Sequence, residues 1–158
     1  MRLVFLDSGP LGLLTNARGK PRPDLCRQWV KGLTAAGVRV FVPEIADYEV
    51  RRKLIHIGAA AGVRRLDHVK AMLDYAPLTT DVMLLAAELW AAARRVGLAT
   101  APPEAIDGDC ILAAQALRAA GPGDVITVAT DNVRQLDRFV NAYPWETVTG
   151  IPHGRSEE

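Results

Sequence analysis

Short, wholly apolar runs alternate with longer segments of helical periodicity along this chain, and that alternation leaves few folds open. Leu3-Val4-Phe5-Leu6 stops abruptly at Asp7-Ser8-Gly9-Pro10, as a buried strand ending at a turn does. Ser8 is placed to cap a short helix reaching Leu14, and 16–23 reads as a basic loop rich in Pro and Gly. From Asp24, Leu25, Trp29, Leu33 and Ala36 share one helical stripe that Gly37 ends. Val38-Arg39-Val40-Phe41-Val42 is a second strand closed by Pro43, and helices follow over 44–57 and 63–74, separated by Gly58 and Gly62. Residues 76–79 are a short third strand. Asp81 stands at an N-cap position before the stripe Val82, Leu85, Leu89, Ala92 and Val96. After a Gly/Pro stretch at 97–103 come a helix over 106–120, the clear strand Val125-Ile126-Thr127-Val128-Ala129, a short helix to Val140 and a last strand at 145–149. Such an order implies a three-layer α/β/α domain over 1–150, its four- or five-stranded sheet mostly parallel, with 151–158 as a frayed tail.

Charge removes several functions. The formal net charge is +1, from 19 Lys+Arg against 18 Asp+Glu, which is no basis for binding nucleic acid by bulk counterion release. Cys26 and Cys110 are too few for a disulfide framework, and no apolar run is long enough to span a bilayer. A strand-like run follows Met1-Arg2 directly, so the expectation is a soluble cytoplasmic protein.

Ligands of open α/β sheets bind beyond the carboxyl ends of the strands, and acids fall there. Asp7 ends the first strand, Asp131 follows the strongest one, Asp107 and Asp109 open the helix over 106–120, and Glu49 lies about two turns into the helix after the second strand. Carboxylates gathered at one edge raise one another's pKa unless a cation joins them. A hard divalent ion, Mg²⁺ or Mn²⁺, suits an all-oxygen set, whereas zinc does not, since no candidate acid has a His within three positions. Each acid also has a plainer role open to it. Asp7 is a turn or cap residue, Glu49 is spaced to pair with Lys53, Asp107 and Asp109 suit a helix dipole, and Asp131 or Asn132 suits an N-cap.

Three segments match a known family. Leu3-Val4-Phe5-Leu6-Asp7-Ser8, the stretch Pro43-Glu44-Ile45-Ala46-Asp47-Tyr48-Glu49-Val50-Arg51-Arg52, and Asp109-Cys110-Ile111-Leu112-Ala113-Ala114-Gln115-Ala116 make the chain resemble PIN-domain ribonucleases, especially the VapC-like toxins of bacterial type II toxin–antitoxin systems. The third segment fits the family pattern D-x-(I/L)-(I/L)-A-A-x-A position by position, and the resemblance runs over 3–149. At the fourth family position the match is shifted: Asn132 stands in register after Thr130, with Asp131 one residue early, and Glu44 competes with Glu49.

The resemblance implies metal-dependent hydrolysis of RNA phosphodiester bonds, leaving 5′-phosphate and 3′-hydroxyl ends. Asp7, Glu49, Asp109 and Asp131 would serve as catalytic and metal-binding residues, with Ser8, Asp107, Thr130 and Asn132 in supporting or alternative positions. Mg²⁺ or Mn²⁺ would be the cofactor, a small antitoxin and a second copy of the chain the protein partners. Arg51, Arg52 and Lys53, with Lys20, Arg22, Arg64 and Arg65, are candidate phosphate contacts around the acids, against the plainer reading of a solvated face. A haloacid-dehalogenase-type phosphatase needs a second Asp where this chain has Gly9. The remaining alternative is a PIN fold that binds RNA or a protein without turnover. Trp29, Trp90 and Cys110 read as packing residues, and His56, His68 and His153 are scattered.

Overall fold

A computed structural model of the chain describes residues 1–96 and 106–151. Residues 152–158 of the expected tail, His153 among them, and the whole Gly/Pro stretch at 97–103 lie outside the described residues. Five strands, β1 (Arg2–Leu6), β2 (Arg39–Pro43), β3 (Asp74–Ala76), β4 (Val125–Thr130) and β5 (Ala142–Pro144), form one sheet in the order β3-β2-β1-β4-β5. Every pairing is parallel, with Val4 beside Val40 on one flank of β1 and Thr127 on the other. The helices are α1 (Ser8–Leu14), α2 (Pro21–Ala35), α3 (Glu44–His56), α4 (Ala60–Met72), α5 (Thr80–Arg95), α6 (Asp107–Ala119) and α7 (Val133–Leu136).

Strand alternation divides the core. Val4, Leu6, Val40 and Val42 face α1 and α2, meeting Leu11, Leu14, Cys26, Val30 and Leu33, with Leu66 of α4 in the same cluster. Leu3, Phe5, Phe41 and Val128 face the other way onto Leu112, Ala113 and Ala116 of α6. Helix α5 packs against the outer side of α6, where Val82, Ala86 and Ala93 meet Cys110 and Ala114. The three layers expected from the alternation are therefore present, with the sheet wholly parallel. Both tryptophans expected in the core pack partly buried against these clusters, and Trp29 Nε1 donates to Val148 O at 2.7 Å.

Several local expectations are corrected. The last strand is Ala142–Pro144, and Trp145–Thr147 is a 3₁₀ turn instead of a strand. Trp145 is drawn into the core beside Trp29, with ring centroids 5.4 Å apart, so tertiary packing overrides the β-rich composition of this stretch. The third strand lies at Asp74–Ala76 and not at 76–79, because Pro77 cannot continue a ladder. Asp7, not Ser8, is the N-cap of α1. Thr79 caps α5 by accepting from Val82 N at 3.2 Å, which puts Asp81 in the first turn. Helix α2 starts at Pro21, a residue suited to a first helical position. Gly62 does not break α4; a Cβ there would lie 2.8 Å from Leu54 Cδ2, so the glycine permits the close approach of α3 and α4.

Candidate active site

The strand order reverses at β1: the chain moves from β1 to β2 on one side and returns to place β4 on the other. Such a switch point opens a crevice at the carboxyl edge of the sheet. A cavity of about 610 Å³ lies there, and Asp7, Glu49, Asp107, Asp109 and Asp131 all line it.

Asp7 leaves β1 in extended conformation and does two things at once. Its Oδ1 accepts from Ser8 N at 2.7 Å, capping α1, and its Oδ2 accepts from the Thr130 hydroxyl at 2.7 Å. Thr130 is fully buried at the end of β4 and also accepts from Asn132 N at 2.8 Å. The plainer reading of Asp7 as a cap is thus true of its geometry, and the same residue lines the cavity. Glu49 comes from the second turn of α3. Burial raises its pKa most, the Asp7 carboxylate raises it further, and a hydrogen bond from Ser8 with the charges of Arg52 and Lys53 opposes them. The ordinary Glu49–Lys53 ion pair does not form among the described residues.

Asp109, in the first turn of α6, is pushed from 3.8 to about 6 by burial, then by Asp7 and by Glu49. Gly108 beside it makes room: a Cβ there would stand 2.7 Å from Glu49 Oε1. Three segments distant in sequence therefore set three carboxyl groups in one another's field.

The remaining expected residues separate. Asp131 lines the cavity with Oδ1 paired to Arg22 at 2.8 Å and Oδ2 so near Gly9 that a Cβ would fall 2.3 Å from it. Arg22 also reaches Glu146 at 3.1 Å and stacks over Trp145. Asn132 caps α7 and its side chain donates to Gln135 Oε1 at 2.9 Å. Asp107 is exposed on the rim. Arg52 lines the cavity with its guanidinium over Tyr48, whereas Arg51 is turned away into ion pairs with Asp47 at 2.9 Å and Asp67 at 2.8 Å. Glu44 does not compete with Glu49, because its carboxylate accepts from Leu78 N.

One positioning residue escapes a motif reading. Gln115 is buried, accepts from Ile45 N at 3.2 Å and donates to Ala76 O, tying α6 to the start of α3 and the end of β3. It thereby fixes the helix of Glu49 relative to the helix of Asp109. The available signal was a lone amide among the alanines of α6.

The donor set is all oxygen and held under mutual repulsion, which is the chemistry that accepts a hard divalent cation. Among the described residues no three His, Cys, Asp or Glu side chains converge into a ready ligand cluster. The electrostatic coupling of Asp7, Glu49 and Asp109 shows proximity that stops short of common ligation.

A parallel five-stranded sheet with acids from separate segments at its switch point defines an α/β domain with an acidic cleft. The family follows from comparison: the PIN domain model matches residues 4–138, and the chain belongs to that family. Among solved structures, a chain of the VapBC2 complex of Rickettsia felis, bound to a DNA fragment from their promoter, is similar. The match has a TM-score of 0.68 at 15% identity and covers 89% of this chain and 97% of that one, a likeness of fold. No curated protein matches. No helix among the described residues is long and apolar enough to cross a membrane.

Proposed function

We propose that this PIN domain is a Mg²⁺- or Mn²⁺-dependent endoribonuclease acting as the toxin of a toxin–antitoxin pair in the cytoplasm. The observation that carries the reading is the coupling of Asp7, Glu49 and Asp109 in one cavity, where each ionised group opposes the next. Structural ties alone do not call for three acids in such an arrangement. It is the pattern of a site built for a cation and a polyanion.

Asp7, Glu49 and Asp109 would hold the metal, which when bound would supply an acidified water and charge neutralisation at the scissile phosphate. Thr130 fixes the Asp7 carboxylate by its hydroxyl, and the Ser8 side chain favours the ionised form of Glu49. Arg52 places a positive charge on the cavity wall, suited to a phosphate oxygen. Asp131, paired with Arg22, lines the same cavity beside Gly9.

The similarity to a VapBC2 chain supports an antitoxin as the protein partner. The non-catalytic alternative rests on one observation, the engagement of Asp131 by Arg22 at the shifted fourth position. Incubation of a generic single-stranded RNA with the protein decides between them. Cleavage is expected with Mg²⁺ or Mn²⁺, not with EDTA, and not in Asp7→Asn or Asp109→Asn. Full activity of either variant would sink the assignment.

A further inference from the structure

A second cavity, of about 460 Å³, adjoins the acidic one and shares Ser8 with it. Its character is opposite. Lys20, Lys53 and Arg65 line it, and no acid does. The link between the two is helical periodicity: Ser8 and Gly12 are one turn apart on α1, as are Glu49 and Lys53 on α3, so each helix passes from the acidic cavity to the basic one in about 5.4 Å.

Neither Lys20 nor Lys53 forms an ion pair among the described residues, and both are exposed. Arg65 is held at the wall by donation from Nε to Thr15 O. The start of α4 also faces this cavity through Ala59 and Gly62 and has no side-chain cap, which adds the positive end of a helix dipole. The floor is apolar, made by Val50 and Leu54, with the exposed Ile57 at its edge. Cations around an apolar floor, one turn from a site for a phosphodiester, match a nucleotide: phosphate at the rim and base or ribose on the floor.

Resting on the ribonuclease reading, we propose that this basic pocket is the subsite for the nucleotide neighbouring the cleaved phosphodiester, and that it sets the direction in which single-stranded RNA crosses the acidic cleft. The absence of acids from its lining favours RNA over an antitoxin segment of mixed charge.

The test measures binding apart from cleavage. In the Asp109→Asn background with EDTA, the affinity for a short fluorescent single-stranded RNA is titrated against salt, with and without Lys20→Ala/Lys53→Ala. Loss of two phosphate contacts reduces the slope of log K against log salt by about 1.4. The control Lys31→Ala, exposed on α2, leaves the slope unchanged. In the unsubstituted background the double variant raises KM and spares kcat. An unchanged slope in the double variant, or an equal fall in the control, overturns the subsite. If that occurs while the unsubstituted protein still cleaves RNA, only the subsite is lost; if the protein neither binds nor cleaves RNA, the ribonuclease reading fails with it.

Discussion

Replacing Asp109 by Asn should make the metal-free protein more stable at neutral pH while removing its activity. The cause is the strain of ionisation. Burial and the carboxylates of Asp7 and Glu49 raise Asp109 from 3.8 to about 6. In the unfolded chain it ionises near its ordinary value, so between those two pH values the folded state binds more protons. Stability attributable to this group is therefore complete below about pH 4, declines as pH rises toward 6, and stays lost above it.

At ~1.36 kcal/mol per pKa unit the displacement corresponds to ~3 kcal/mol, and screening at this partly exposed position reduces it to roughly 1–2 kcal/mol. Asparagine keeps the shape and carries no charge. In a chain of this length each kcal/mol moves Tm by about 2–4 °C. Asp109→Asn is then expected to melt roughly 2–8 °C higher than the unsubstituted protein at about pH 7.5 in EDTA, with the gap closing toward pH 4. Calorimetry across that range checks it. A variant that melts lower at neutral pH, or a gap independent of pH, would refute the electrostatic coupling on which the site is built.

Gln115→Leu strands Ile45 N–H and Ala76 C=O, and should cost about 2–4 kcal/mol, read as a fall in the urea midpoint. Gly108→Ala should keep or raise Tm, since alanine favours a helix by about 1 kcal/mol, yet displace Glu49 and reduce Mn²⁺ affinity; unchanged affinity would remove Gly108 from the site. Arg22→Ala should alter stability by no more than about 1 kcal/mol, because both partners of its pair with Asp131 are about half exposed. Protons compete with metal for Asp109, so Mn²⁺ affinity should fall about tenfold for each pH unit below 6, as followed by calorimetric titration.

Long apolar runs and ionic motifs were legible because local physics controls them. Leu3-Val4-Phe5-Leu6 and Val125-Ile126-Thr127-Val128-Ala129 can only be buried strands in this order of elements, and the segment beginning at Asp109 carries both an apolar helix face and an acid at its start. Three-residue strands carry almost no periodicity, so β5 was assigned to the stretch after it, where Trp145 packs into the core. Pairings between distant residues were hidden for the same reason. Arg22 meets Asp131 across 109 positions, and Gln115 reaches Ile45 across 70, contacts set by the assembled layers and not by any spacing along the chain. Arg51 and Arg52, adjacent in sequence, point to different surroundings because successive helical residues face about 100° apart.

Titration of the metal-free protein with Mn²⁺, followed by electron paramagnetic resonance, addresses the proposed centre without relying on any RNA. The unsubstituted protein should take up Mn²⁺ into a bound population, and Asp7→Asn, Glu49→Gln and Asp109→Asn should each weaken that uptake by about tenfold or more while retaining the fold. Binding equal to that of the unsubstituted protein in all three variants would contradict a metal centre formed by these carboxylates.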